Sequence, residues 1–473
     1  MQRLASEMSI VHETAESLDT RKIDWQATVP SRRFHVRIDL LALLLIIVFL
    51  GNILRAQTGR SEKVGTEEQL FIAAQVYSQL QMSLSARELF HPATDGAPYK
   101  DYLRKALETD GRHQFDLTTI EFVARLHDGH TFFWDTWLDK SNQPLGFYAA
   151  PLGGYWVVQT SLLPGLKPGD VIVRIDHTPA ESFFQQQQRY IAASSAAALR
   201  HNLFLLPYLF PEHFTLTLDG DRKVTVDREK FKQPEQKTEG RWLKPGVTAY
   251  IRIPAFFHLP LEEKALDYVY QFQSAKTLII DVRNNGGGIP PKRLIQALMG
   301  RPYHEWKQST TLRLPLVDFD QDEEKNKNPT NLPEFLRNCK YSPDDHLCSA
   351  PLTWGGGVVE PSPNAFRGRV ILLVDGGCVS ACEELVEPFK DSGRGVIVGE
   401  TTEGSSGVPY VYDFHNGMTL AISVKRLYFP DGSEFEGVGI KPDVEVHLTI
   451  ESLKSGHDVI LEKAIELAGK PVR

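Results

Sequence analysis

The chain has 473 residues and a mass of 53.3 kDa, which allows two or three domains because single cores rarely grow beyond about 250–300 residues. Hydrophobic residues make up 42% and charged residues 24%, both ordinary for a globular protein. The net charge of −8 and the lack of a stretch dense in Lys and Arg argue against a nucleic-acid partner.

An uncharged apolar segment near the N-terminus predicts export. Residues 40–50 read LLALLLIIVFL, which fits the core of a signal peptide better than the roughly 20 residues of a membrane-spanning helix. Three preceding arginines direct the N-terminus towards the cytoplasm. We predict a polar tail over residues 1–37 and a signal peptide or membrane anchor over residues 38–56. Cleavage after Ala56 and membrane association through residues 38–54 are both open; either places the rest of the chain on the periplasmic or extracellular side.

The four cysteines form two separate pairs. Cys339 and Cys348 lie in a polar loop, where an oxidising compartment would allow a disulfide. Cys378 and Cys382 flank Ser380, and we interpret them as small packing residues. None of the four has the spacing to histidines of a metal site, and we predict neither a metal nor an organic cofactor.

Apolar periodicity predicts a helical N-terminal region over residues 66–145. Residues 67–107 and 117–126 have helical spacing, and the second stretch ends at Asp128-Gly129.

After this region the pattern changes to strands. The run GLKPGDVIVRID at residues 165–176 predicts a Pro-Gly-Asp turn and a strand at 171–175, and a second strand pair follows over residues 214–228. The run resembles a PDZ domain, with His177 where that family usually has glycine. The resemblance implies a PDZ-like β module over residues 146–233 that binds extended peptides at a sheet edge. Another small β module with the same turn is the alternative.

From residue 246 onward, strands rich in Val, Ile and Leu alternate with helices. This alternation predicts an α/β core over residues 240–470, with a mostly parallel sheet covered on both faces. Residues 317–331 are polar, acidic and rich in Asn, and we predict a surface insertion there.

Ser380 stands where an apolar strand, residues 370–374, gives way to a helix. A hydroxyl at that point lies at the carboxyl edge of the sheet, where ligands bind and the free N–H groups of a helix face an anion. Taken alone, however, the segment favours a helix cap with Glu383 as the reciprocal partner.

Two further segments have turn chemistry. Residues 278–288, LIIDVRNNGGG, predict a strand and a glycine turn that comes close to a ligand. The turn lacks the Walker A lysine and the Rossmann glycine spacing, so a phosphate-binding site is poorly supported. An oxyanion site made of backbone N–H groups fits the same turn. Residues 429–446 predict a hairpin and a loop around Glu436.

Together these segments resemble the tail-specific and tricorn-type serine peptidase family. The motifs, in order, are DVRNNGGG at 281–288, VDGGCVSACE at 374–383, GETTEGSSG at 399–407 and EGVGIKPDVEV at 436–446. The resemblance covers residues 67–446. It implies a crotonase-like α/β spiral core behind the helical region and the PDZ-like module, and peptide-bond hydrolysis by Ser380.

The family has two catalytic designs, and the resemblance implies Ser-His-Glu rather than Ser-Lys. Members with a Ser-Lys pair carry the lysine in a Gly-Lys-Gly turn, where this chain has Ser405. The tricorn-like branch takes its base from a Leu-x-Asp-x-His-Thr motif, which matches residues 126–131. That match assigns His130 as the general base that activates Ser380, with His127 as the alternative.

The resemblance also assigns the supporting residues. Glu436 would hold the imidazole in the right tautomer. The oxyanion would be received by the N–H groups of Ala381 and Gly288, with Gly287 as the fallback. Tricorn has a serine immediately before the histidine, where this chain has Gly129. It also has an aspartate where this chain has Ala381, so a preference for basic substrates is not implied.

Two other functions stay open. The same kind of core occurs in a non-catalytic ligand-binding protein, and an adaptor could act through the PDZ-like module alone. The intact set of Ser380, His130 and Glu436 favours the peptidase, with a peptide or unfolded protein as its substrate. The oligomeric state cannot be read from the sequence.

Overall fold

The computed structural model describes residues 63–85, 89–90, 92–141, 143–228, 231, 235–315, 340–342 and 347–470. The predicted tail, export segment and polar insertion lie outside these residues, and so does Cys339 of the predicted Cys339–Cys348 disulfide. None of the helices among the described residues combines the length and the apolar character needed to cross a membrane.

The N-terminal region consists of packed helices followed by a short strand. Its elements are α1 (Thr66–Ser83), α2 (Pro92–Leu107), α3 (Arg112–Ala124), β1 (Phe132–Asp135) and α4 (Thr136–Ser141). The buried face of α1 carries Ile72, Val76 and Leu80, whereas Leu70 and Phe71 of the same helix are exposed. The helical stretch predicted over residues 67–107 is two helices, and the second begins at Pro92, a residue that the first turn of a helix tolerates.

A β module follows. Its elements are β2 (Phe147–Leu152), β3 (Tyr155–Ser161), β4 (Val171–Ile175), β5 (Thr178–Pro179), α5 (Ala180–Gln187), α6 (Ala196–His201), β6 (His213–Leu218) and β7 (Lys223–Asp227). The strands pair antiparallel in the order β2-β3-β4-β6-β7, and β5 pairs with β4. The predicted strand at 171–175 and the predicted strand pair are confirmed. Aromatic residues, among them Trp156, Phe184 and Phe204, fill the centre of the module.

The third part is a mixed α/β core, as predicted. Its elements are β8 (Glu239–Lys244), β9 (Thr248–Arg252), α7 (Leu259–Gln271), β10 (Thr277–Asp281), α8 (Lys292–Leu298), β11 (Tyr303–His304), β12 (Lys307–Pro315), β13 (Lys340–Ser342), β14 (Leu347–Gly355), β15 (Val358–Val359), β16 (Arg369–Val374), α9 (Ala381–Ser392), β17 (Gly395–Gly399), β18 (Pro409–Asp413), β19 (Met418–Ser423), β20 (Arg426–Tyr428), β21 (Val444–Glu445), α10 (Ile450–Ser455) and α11 (Val459–Ala468).

The main sheet has the order β21-β17-β16-β10-β9-β8, and every pair is parallel except β8–β9. Side chains of β10 alternate between its two faces. Leu278 and Ile280 pack with α7, α8 and α9, whereas Ile279 packs with Ile460 and Ala464 of α11. Both faces are covered, which explains why these strands read as continuous apolar runs.

The N-terminal region joins the core through strand pairing. β1 pairs antiparallel with β19, and β19 pairs with β18. Arg112 of α3 donates two hydrogen bonds to the buried Asp135 of β1, at 2.5 and 2.9 Å, and a third to the carbonyl of Asn416 at 2.8 Å. These contacts fix the loop between α3 and β1, which carries His130, against the core.

Candidate active site

Ser380 occupies the turn between β16 and α9. Its backbone has φ 60° and ψ −122°, a region that residues with a side chain rarely adopt and that costs roughly 1–3 kcal/mol. Its N–H lies 3.1 Å from a carboxylate oxygen of Glu383 and 3.0 Å from the carbonyl of Ser405. A strained serine at a strand-to-helix turn is the geometry in which a nucleophile is held clear of the sheet.

The glycine run comes directly against this turn. A Cβ added at Gly287 would lie 2.7 Å from the Cβ of Ser380 and 3.0 Å from the N of Ala381, so only glycine allows the approach. The Gly287 N–H already donates to the side chain of Asn285 at 3.0 Å. Within the described part of the chain, no hydrogen bond is recorded from the N–H of Gly288 or of Ala381. The predicted pair of amide donors is therefore uncommitted, whereas the fallback donor is not.

His130 is buried, with 3% of its surface exposed. Its main-chain N–H donates to Asp128 at 2.9 Å, and its ring Nδ1 lies 2.8 Å from the hydroxyl of Ser405. The ring Nε2 is buried without a hydrogen-bond partner among the described residues. Burial lowers the pKa of His130 to about 4, so the ring is neutral at pH 7. His127, the alternative base, is exposed.

Glu383 does more than cap the helix. One of its oxygens accepts the hydroxyl of Thr402 at 2.5 Å and the N–H of Gly404 at 2.7 Å. The other accepts the N–H groups of Ser405 and Ser380, at 3.0 and 3.1 Å. Burial raises the pKa of Glu383 to about 8 against these hydrogen bonds. Its carboxyl group therefore fastens the turn at Ser380 to residues 404–407, which we call the 404–407 loop.

Glu436 also contacts the 404–407 loop, from another side. Its carboxyl group accepts the N–H of Ser406 at 3.3 Å, and its second oxygen is buried without a partner among the described residues. Burial, and to a smaller extent the charge of Asp128, raise the pKa of Glu436 to about 8. No hydrogen bond joins Glu436 to His130 in the described part of the chain. All three predicted residues therefore meet the same loop. Among the described residues, however, neither the Ser380 hydroxyl nor the Glu436 carboxyl group hydrogen-bonds the His130 ring.

The interpretation of Cys378 and Cys382 as packing residues is wrong. The two are bonded to each other as a disulfide, and both are fully buried. The bridge joins Cys378, in the turn after β16, to Cys382 in the first turn of α9, and their Cα atoms are 5.4 Å apart. The bridge spans Ser380.

Sequence reasoning missed two serines. Ser405 lies against His130, and the Ser194 hydroxyl accepts the N–H of Gly129 at 2.9 Å. A signal was present for Ser405, because it occupies the place of the lysine in Ser-Lys members. Ser194 gave none, since it lies in the β module, remote in sequence from every motif.

Comparison with known proteins identifies the class. Residues 247–446 match the model of peptidase family S41, so the chain carries an S41 peptidase domain, and the family predicted from the motifs is confirmed.

The relatives of this chain include a C-terminal processing peptidase and the tricorn protease. The chain is 26% identical over 288 residues to the chloroplastic C-terminal processing peptidase of Tetradesmus obliquus, covering 60% of this chain and 53% of that protein. It is 25% identical over 224 residues to the tricorn protease of Thermoplasma acidophilum, covering 47% of this chain and 16% of that protein. The chain thus spans about half the length of the first relative and much less of the second.

The fold matches a solved structure described as mature CPAF complexed with lactacystin. The TM-score is 0.59 at 16% identity, and the match covers 85% of this chain and 98% of that one. This likeness concerns the fold alone.

Proposed function

We propose that the protein is a serine peptidase that cleaves peptide bonds through an acyl-enzyme on Ser380, with His130 as the general base. One observation carries the proposal. The buried imidazole of His130 reaches the main chain of Ser380 through a single residue, Ser405, and its Nε2 has no partner among the residues that the structure describes. A buried nitrogen of this kind is suited to take a proton from a hydroxyl at the turn.

The chemistry follows from these groups. The Ser380 oxygen attacks the carbonyl carbon of the scissile bond while its proton passes to Nε2 of His130. The negative charge on the carbonyl oxygen is received by the N–H groups of Ala381 and Gly288. The imidazolium then gives its proton to the leaving amine as the C–N bond breaks. A water molecule attacks the acyl-enzyme by the reverse sequence and frees Ser380.

Glu436, the third predicted member, supports His130 indirectly in this proposal. Its carboxyl group accepts the N–H of Ser406, and the preceding residue, Ser405, contacts the imidazole.

The domains have separate tasks in this proposal. Residues 66–145 supply the base, and residues 240–470 form the crotonase-like core that supplies the nucleophile. Residues 146–233 are a PDZ-like module that receives an extended peptide or unfolded-protein substrate. Its position beside the nucleophile turn supports that task. Tyr148 and His201 of the module hydrogen-bond at 2.7 Å, and a Cβ on Gly377 would lie 3.2 Å from the His201 ring.

We further propose that the enzyme works on the periplasmic or extracellular side. The apolar segment at residues 40–50 supports this location. So does the disulfide beside Ser380, since such bonds persist mainly in oxidising compartments.

A fluorophosphonate probe tests the nucleophile. The wild-type protein should be labelled on Ser380 and should hydrolyse a peptide library, and the Ser380→Ala variant should do neither. Equal labelling of that variant would show that the assignment is wrong. Tight retention of a ligand by a folded, unlabelled wild-type protein would instead favour the non-catalytic binding function.

A further inference from the structure

We propose that Ser405 is the positioning residue that sets the tautomer of His130, and so decides which ring nitrogen is free to act as the base. This inference rests on the proposed function, which it deepens. It assigns to a hydroxyl in the 404–407 loop a task that the sequence motifs assign to Glu436.

The two ring nitrogens of His130 have different surroundings. Nδ1 lies 2.8 Å from the Ser405 hydroxyl, whereas Nε2 has no partner among the described residues. A proton on Nε2 would be a buried donor without an acceptor, which is costly. A proton on Nδ1 has the Ser405 oxygen as its acceptor. The neutral ring therefore carries its proton on Nδ1, and the lone pair of Nε2 is available.

The carboxylates near His130 do not provide this contact. Asp128 accepts the main-chain N–H of His130 and the hydroxyls of Thr131 and Ser423, at 2.8 to 3.1 Å. Glu436 accepts the N–H of Ser406. Within the described residues, the hydroxyl of Ser405 is the one recorded partner of the ring.

Ser405 is held firmly enough to orient another side chain. Its side chain is 1% exposed. Its N–H donates to Glu383 at 3.0 Å, and its carbonyl accepts the N–H of Ser380 at 3.0 Å. Its hydroxyl lies 3.1 Å from the hydroxyl of Ser194. One residue thus fixes the nucleophile's main chain and the ring of the base together.

The neighbouring Gly129 offers a test by exchange. A Cβ added at residue 129 would lie 2.7 Å from the oxygen of Ser405, 3.3 Å from the oxygen of Ser194 and 3.5 Å from the Cβ of Ser405. The Ser405 hydroxyl is therefore the main obstacle to a side chain at residue 129. Removing that hydroxyl relieves the closest contact, and a serine at residue 129 would bring a new hydroxyl close to the space that it leaves.

The tautomer is measured directly, and without catalysis, by NMR of 15N-histidine-labelled protein in the Ser380→Ala background. The signal of His130 is identified by its loss in a His130→Ala variant. We expect the proton on Nδ1 in the parent and a shift towards Nε2 after Ser405→Ala. The control is Ser195→Ala, which removes the cap at the start of α6, where Ser195 accepts the N–H of Ala198. That control should leave the tautomer unchanged, and an unchanged tautomer in Ser405→Ala as well would overturn the proposal.

Activity gives a second readout. In the otherwise wild-type enzyme, Ser405→Ala should lower kcat/KM by roughly 10- to 100-fold, the range expected for an unpaired buried donor. Gly129→Ser alone should also lose activity, because its Cβ meets the Ser405 oxygen. The double variant Gly129→Ser/Ser405→Ala should be more active than either single variant. Equal activity of Ser405→Ala and Ser195→Ala would count against the proposal.

The two proposals fail in different ways. If the wild-type protein neither reacts with the probe nor hydrolyses peptide, the proposed function is wrong, whatever the tautomer. If it does both while Ser405→Ala changes neither the tautomer nor kcat/KM, only the role of Ser405 is wrong.

Discussion

The turn at Ser380 and the His130 loop are held in place by different parts of the molecule. The turn is fixed within the α/β core, by the Cys378–Cys382 disulfide and by the carboxyl group of Glu383, which joins it to the 404–407 loop. The His130 loop belongs to the N-terminal region and depends on contacts across to the core, because Ser423 of β19 hydrogen-bonds Asp128 and Thr131. One half of the site is therefore built within the core, and the other half exists only when the N-terminal region docks on that core.

The largest expected loss of activity comes from replacing His130, which joins the two halves of the site. His130→Ala should lower kcat/KM by about 10²–10⁴, the usual contribution of a general base, while the protein stays folded and loses only the stability that the cavity left by the buried ring costs. Peptide hydrolysis and thermal denaturation measure the two quantities. His127→Ala is the matched variant, since that side chain is exposed, and a comparable loss there would move the base to His127.

A smaller effect is expected when the docking of the N-terminal region is weakened. Arg112→Ala leaves Asp135 buried without its cation, which should cost about 3–5 kcal/mol of unfolding free energy. Denaturant titration measures this loss, and the rate of probe labelling should fall because His130 loses its support. Arg104→Ala, in an exposed ion pair of the same region, should leave stability nearly unchanged. If both variants behaved alike, the buried pair would not be what holds the loop.

The smallest expected effect is that of mildly acidic pH. Burial lowers the pKa of His130 to about 4, so the base stays neutral at pH 5.5. An unperturbed histidine, with a pKa near 6.5, would be mostly protonated there. We expect the labelling rate to be flat down to about pH 5 and to fall through pH 4. The contribution of His130 to stability should rise with pH between about 4 and 6.5, because there its unfolded form binds the extra proton. Glu383 and Glu436, whose pKa is raised to about 8, contribute the opposite slope above about pH 4.5. An acid limb near pH 6.5 in the labelling rate would contradict the burial of His130.

Local patterns predicted the core well. The apolar runs at 278–280 and 370–374 form the middle of β10 and most of β16, because strands covered on both faces favour apolar residues. The helix after Ser380 was expected from the change of period, and α9 begins at Ala381. Here the information lies within a few residues of each element.

Contacts between distant segments were less predictable. Nothing near Gly129 in the sequence indicates that Ser194 and Ser405 would surround it, since the β module and the core supply one hydroxyl each. The break between α1 and α2 was also missed, although Pro92, at which α2 begins, is a residue that commonly marks the end of one helix and the start of another. The sequence does not distinguish a Cys378–Cys382 disulfide from two packed thiols, because apolar surroundings suit both.

The disulfide around Ser380 has a practical consequence for testing the proposed activity with inhibitors. In the oxidised protein, neither sulfur at this turn can react with an alkylating reagent such as iodoacetamide. After reduction, a bulky adduct on Cys378 or Cys382 would crowd the hydroxyl between them. A preparation kept in dithiothreitol could then lose activity to iodoacetamide and be mistaken for a cysteine peptidase. Inhibitor profiles of this protein are therefore comparable only when the redox buffer is stated.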